Sequence, residues 1–134
     1  MPIAITRDVS RSLGDCELSY VDRVPIDVGR ARLQHEAYRR ALAALGCDVI
    51  TLAAEDELAD AVFVEDIAIV LDELAIVTRP GASSRRAEVA SVATALGRHR
   101  MLRTIEAPAT IDGGDVLRIG RTIYVGESAR TDAD

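Results

Sequence analysis

The sequence predicts an α/β fold, an open array of ββαβ-type units, on three observations. Short apolar runs of strand length alternate with segments of helical period. The order helix, strand, acidic loop, hairpin occurs twice, at a spacing of about 50 residues, the range of propellers and related arrays. The core material is aliphatic: 49% of residues are hydrophobic, yet only 3% are aromatic and Trp is absent. The repeat is visible in the letters. "ALG" closes both predicted helices, at 44–46 and 95–97, and "VEDIAIVLDELAIVT" lies over "GGDVLRIGRTIYVG" with one residue dropped at the hairpin turn. Asp66 then matches Asp115. The units run over approximately 28–80 and 81–130 of one partial domain, 1–134. A single such unit cannot bury both faces, so units must stack.

The elements follow in order. Ile3 to Thr6 reads as a strand, and 7–25, rich in turn formers, as a loop. Asp27 is a helix N-cap; Ala31, Gln34, Tyr38, Ala41, Leu42 and Leu45 recur at helical spacing, and Gly46 is the stop. "CDVITL" is a strand and 53–60 an acidic loop. "AIVLDELAIVT" splits into a hairpin around Asp72-Glu73. After the "RPGASSRR" loop, a helix over about 84–96 presents Val89, Val92, Ala93 and Leu96 and stops at Gly97. "RMLRTI" is a strand, "EAPATIDGG" a loop, and 115–126 a second hairpin around Gly120-Arg121, before a terminal coil at 127–134.

The chain has 134 residues, a formal charge of -6 and a pI near 4.9. That balance speaks against a nucleic-acid partner held by a broad basic face. Cys16 and Cys47 form no CxxC and no zinc-type spacing, and read as two reduced thiols. No apolar run approaches the ~20 residues of a membrane helix, and no signal-peptide core follows Met1. A cytoplasmic protein without membrane partner is expected.

Glu65-Asp66 stands between two apolar runs, where an unpaired charge would be costly. On a regular strand the two carboxylates point to opposite faces. Either one lines a site while the other pairs elsewhere, or both sit in a solvated loop tip before Ile67. "TIDGGDV" occupies the matching place in the second unit, with carboxylates Asp112 and Asp115. Its Gly113-Gly114 pair permits a sharp turn or the close approach of a ligand. Converging carboxylates suit a cationic ligand better than a metal, since no His lies nearby; His35 and His99 read as ordinary helix-associated residues. Arg79, Arg85 and Arg86 surround a Pro-Gly turn, and Arg130 stands at the matching point of the second unit. Arg binds carboxylates with fixed, often bidentate geometry. Carboxylates for a cation and arginines for an anion describe a site for a basic amino acid.

"DAVFVEDIAIV", "VTRPGASSRRAEV", "TIDGGDVL" and "YVGESART", in this order and spacing, resemble the dimethylarginine dimethylaminohydrolases of the guanidino-group-modifying, or pentein, superfamily. The resemblance runs from about residue 5 onward. It implies a five-bladed α/β-propeller, of which this chain would hold about two and a half blades, the N-terminal half. It implies hydrolysis of Nω-methylated arginine to citrulline and a methylamine, without cofactor or metal. By the same resemblance Asp66 hydrogen-bonds the substrate guanidinium with Glu65 beside it. Asp60 receives the α-amino group, and Arg85 and Arg130 clamp the α-carboxylate. Leu18 belongs to a lid loop, and Asp112 stands where an acid assists the catalytic His.

The family's nucleophile is a Cys that forms a covalent thiouronium-type intermediate, with a His as acid and then base. Neither Cys16, Cys47, His35 nor His99 sits in the corresponding motifs. The chain is therefore expected to carry the substrate-binding half and to be inactive alone. Expected partners are a guanidino amino acid, and the missing C-terminal half or a second copy of the chain. Open blade edges predict self-association. The alternatives are a non-catalytic fragment that binds arginine-like ligands and an arginine deiminase-like member.

Overall fold

The computed structural model describes residues 1–132. Positions 133 and 134, the end of the predicted terminal coil, lie outside the described residues. The chain divides into two compact units, Met1–Val64 and a second from Glu65 on.

In the first unit, β1 (Ile3–Arg7) pairs in parallel with β2 (Asp48–Leu52), Ile5 opposite Ile50. A parallel pair needs a long crossover, and α1 (Val28–Ala44) lies within it. Asp27 caps α1 as predicted, its carboxylate accepting from the Arg30 N–H. Gly46, at φ +91°, takes the left-handed turn that stops the helix. The helix face differs from the expectation. Tyr38 and Leu45 are exposed, while Val28, Ala31, His35, Arg39 and Leu42 are half-buried. Arg39 turns inward because it pairs with Asp8, just past β1. Tyr38 instead lies outside, its ring stacked on His35 at 5.8 Å between centroids. Val9, Leu13 and Cys16 form an apolar cluster, with Val28, Ala31, Ala59 and Val62 packed on it.

In the second unit, β3 (Ala68–Val70), β4 (Leu74–Val77) and β5 (Met101–Thr104) form a sheet in that order. β3 is antiparallel and β5 parallel to β4. Along β4 the alternation of the sequence becomes alternation of burial, with Ala75 and Val77 inside. The predicted helix over 84–96 begins with a 3-10 segment, Ser83–Glu88, and continues as α2 (Val89–Leu96). Val92 and Leu96 are buried, as the periodicity predicts. β6 (Val116–Ile119) and β7 (Thr122–Val125) form the second hairpin, turning at Gly120 with φ +60°. Leu117, Ile119, Ile123, Tyr124 and Val125 are exposed on it.

The repeated order is present: α1, β2, β3, β4, then α2, β5, β6, β7. A single 3-10 turn precedes each hairpin, Val64–Asp66 and Gly113–Asp115. Asp66 and Asp115 close these turns, the match that overlaying the two runs predicts. Among the described residues no helix is long and apolar enough to cross a membrane.

Candidate functional site

The second unit gathers Glu65, Asp66, Arg85, Asp112 and Arg130. The "VED" turn is neither strand nor solvated loop tip. Glu65 is exposed, Asp66 is half-buried, and Ile67 behind them is fully buried. Thr78 ties the turn down: its N–H donates to the Ile67 carbonyl and its hydroxyl to the Asp66 carbonyl, both at 2.8 Å. Both Asp66 carboxylate oxygens have donors. Arg85 Nη1 donates to Oδ2 at 2.6 Å, and the Gly114 N–H to Oδ1 at 2.9 Å.

Those contacts explain the Gly pair. Neither Gly113 nor Gly114 needs a left-handed conformation. A Cβ on Gly113 would lie 2.0 Å from the Glu65 carbonyl oxygen, and one on Gly114 2.5 Å from Asp66 Oδ1. The close approach the sequence suggested is that of the chain's own "VED" turn. Gly81 repeats the arrangement, with its Cβ position 2.4 Å from the Arg130 Cα. Thus "VED" meets "DGG", and "RPG" meets "SART".

Arg85 is buried, its side chain only 2% exposed. Its Nε donates to Glu88 Oε1 at 3.1 Å and its Nη2 to Glu88 Oε2 at 2.9 Å, a bidentate pair. Burial alone would lower the Arg85 pKa, but the bonds to Glu88 and Asp66 outweigh it, and the guanidinium stays charged. Glu88 is equally buried and was not a predicted site residue. A signal for it existed: Arg85, Glu88, Val92 and Leu96 are spaced at one helical face, and all four are buried. Its first two members are charged, so an apolar period does not reveal them.

Asp112 is buried too. It accepts from the Gly81 N–H at 3.4 Å and faces Arg130 Nη1 at 3.7 Å. Buried Thr131 also escaped sequence reading; its hydroxyl accepts from the Asp112 N–H and donates to Asp115. The other two arginines serve the loops. Arg79 donates to the Pro108 and Ala109 carbonyls, and Arg86 to that of Pro80.

Burial pushes the Asp112 carboxyl above its ordinary value, and the Asp66 charge adds to this. The Gly81 N–H, Arg85 and Arg130 pull the other way without cancelling it. Between the ordinary and the raised value the folded state therefore holds a proton that the unfolded chain has already released. Stability contributed by Asp112 falls as pH rises from the ordinary carboxylate range through the raised value. Asp112→Asn is expected to remove that component and flatten the fall. Urea melts of both proteins between about pH 4 and about pH 7 check this. Equal slopes would contradict it.

Leu18 and Asp60 belong to the first unit. Asp60 is buried, and both its oxygens accept from the Glu17 N–H, at 3.0 and 3.3 Å. Leu18, next along, is exposed. Cys16 is buried in the apolar cluster and Cys47 is half-buried; both are free thiols. Among the described residues no group of three His, Cys, Asp or Glu could hold a metal ion.

No protein-family model matches the chain. It is 44% identical over 131 residues to the N(G),N(G)-dimethylarginine dimethylaminohydrolase of Streptomyces coelicolor, covering 97% of this chain and 51% of that protein. It is 40% identical over 132 residues to the enzyme of the same name from Pseudomonas aeruginosa, covering 97% and 52%. Among solved structures, the Pseudomonas aeruginosa enzyme, as a Cys-to-Ser mutant complexed with citrulline, superposes with a TM-score of 0.92 at 38% identity. That match covers 99% of this chain and 53% of that one. The N-terminal domain of a cyanobacterial arginine dihydrolase shares the fold alone, at a TM-score of 0.84 and 16% identity, over 96% and 50% of the two chains.

These likenesses put the chain in the pentein class of α/β folds. Within that class it belongs to the dimethylarginine dimethylaminohydrolase family. It spans about half the length of the curated relatives it matches.

Proposed function

We propose that this chain is the guanidino-amino-acid-binding part of a dimethylargininase-type hydrolase. The intact enzyme would convert Nω-methylated arginine to citrulline and methylamine or dimethylamine. The observation that carries this reading is the seating of Asp66. Its carboxylate is held at both oxygens at the edge of solvent, beside a second acid, Asp112, and a second guanidinium, Arg130. A planar carboxylate so oriented suits the N–H groups of a guanidinium. The citrulline-bound relative supports the same ligand class.

In this reading Asp66 receives the guanidinium, with Glu65 adding negative charge beside it. Arg130, 26% exposed, receives the α-carboxylate. The resemblance pairs Arg85 with it in that task. Because Arg85 is buried on Asp66 and Glu88, we assign it to holding Asp66. Asp60 is assigned to the α-amino group and Leu18 to the lid, their neighbouring places in the first unit supporting a shared loop function. Asp112, held toward its protonated form, is assigned as the acid that assists a catalytic His. The nucleophilic Cys and that His are assigned to the part of the relatives' length that this chain does not span. Buried Cys16 and helix-borne His35 do not fit those roles.

Calorimetry tests the binding role. L-arginine is expected to bind the wild-type chain at least tenfold more tightly than Asp66→Ala, about 1.4 kcal/mol. Equal affinities would remove Asp66 from the site. Incubation of this chain alone with dimethylarginine is expected to release no citrulline. Turnover that survives Cys16→Ser and Cys47→Ser would overturn the catalytic assignment.

A further inference from the structure

We infer that Glu88 is a positioning residue that sets the charge of the guanidine site, acting through Arg85. The inference rests on the binding role of Asp66 given above. The three groups form a chain: Glu88 grips Arg85 with two bonds, and Arg85 grips Asp66 with one. Glu88 and Arg85 have side chains only 2% exposed, whereas Asp66 is 19% exposed. Of the three, only Asp66 is open to contact by a ligand.

The charge count decides the role. Arg85 alone would neutralise Asp66 and leave a dipolar pair, with only the solvent-screened charge of exposed Glu65 to attract a cationic guanidinium. Glu88 supplies the second carboxylate, so the triad carries one net negative charge. Asp112 and Arg130 stand beside the triad and are the same in every variant compared, so they do not enter the difference. In a poorly hydrated site such a difference acts strongly on a charged ligand and weakly on a neutral one of the same shape. L-arginine and L-citrulline make that comparison, since a cationic guanidinium in one stands where a neutral ureido group stands in the other.

Glu88 also has a geometric effect. Two parallel bonds to its carboxylate fix the plane of the Arg85 guanidinium. That plane sets the direction of the Nη1 bond to Asp66 Oδ2, while the Gly114 N–H holds Oδ1.

The test is the arginine-to-citrulline preference, measured by calorimetry on the whole chain. Wild type is expected to favour arginine at least tenfold. Glu88→Gln keeps the shape and one accepting oxygen but loses the charge and the second bond, and its preference is expected to collapse to within about twofold. Glu88→Asp keeps the charge and is expected to retain the preference at lower affinity for both ligands. A merely structural Glu88 would lower both affinities together in every variant, and that pattern overturns the inference. If Glu88→Gln does not fold, the double variant Arg85→Met with Glu88→Met serves. It removes both buried charges and leaves Asp66 ionised, so the preference for arginine should persist; its loss overturns the inference. A wild type that binds neither ligand overturns the binding role of Asp66 itself and this inference with it. A wild type that prefers arginine, with an unchanged preference in Glu88→Gln, overturns only the assignment of Glu88.

Discussion

Gly113→Ala is expected to destabilise the second unit by about 3 kcal/mol. The new Cβ would stand 2.0 Å from the Glu65 carbonyl oxygen, 3.1 Å from the Glu65 carbonyl carbon and 3.2 Å from the Asp66 Cα. All three are backbone atoms, so no rotamer change relieves the clash. Either the "VED" turn or the "DGG" turn must move. Moving the first breaks the Thr78 bonds to the Asp66 and Ile67 carbonyls. Gly114→Ala is the informative comparison. Its Cβ would meet Asp66 Oδ1 at 2.5 Å, a side-chain end that can rotate away. That variant is expected to lose about 1 kcal/mol of stability while ligand affinity falls, because the bond holding Oδ1 is lost. Urea unfolding with calorimetry separates the two. Gly113→Ala within about 0.5 kcal/mol of wild type would show that the turns are not locked together.

Arg85→Met should cost about 3–5 kcal/mol, the usual effect of removing one partner of a buried ion pair. The cause is the Glu88 left behind, a carboxylate 2% exposed and deprived of both bonds from Arg85. Taking the guanidinium away from a buried carboxylate raises its pKa. The variant should therefore recover stability as pH falls through that raised value, where Glu88 takes up a proton and folding no longer buries a charge. Arg85→Met combined with Glu88→Met should lie close to wild type, since apolar residues of similar volume replace a buried pair at little cost. Arg85→Lys should behave more like Met than like Arg, because one ammonium cannot reproduce the planar fork that spans Glu88 and Asp66. Chemical denaturation of the four proteins at two pH values measures all of this. An Arg85→Met variant less than about 1 kcal/mol below wild type would mean that water reaches Glu88 and the site is not dry.

Much of the secondary structure could be read from short-range chemistry. The Asp27 cap, the Gly46 stop, the hairpin around Asp72-Glu73 and the turn at Gly120 each depend on a few neighbouring residues. The inward face of α1 could not be read in the same way. Helical spacing favours Tyr38, yet Asp8, 31 positions before Arg39 and just past β1, draws Arg39 inward. The same limit hid Glu88. A charged residue on an inward face looks wrong until its partner is known, and here the partner is Arg85 one turn away, fixed by a carboxylate from another loop.

By itself the sequence determined the α/β class, the repeated order of elements and the four motifs that mark the family, because each is written in local spacing and residue type. Only the tertiary structure decided what those motifs touch. It showed that the glycines of "DGG" make room for the chain's own "VED" turn, and that Arg85 is held by two carboxylates of the same chain. Contacts between residues some 20 to 50 positions apart in sequence depend on how the backbone brings loops to within a few ångströms of each other. No local pattern encodes that distance, although the charge of the site depends on it.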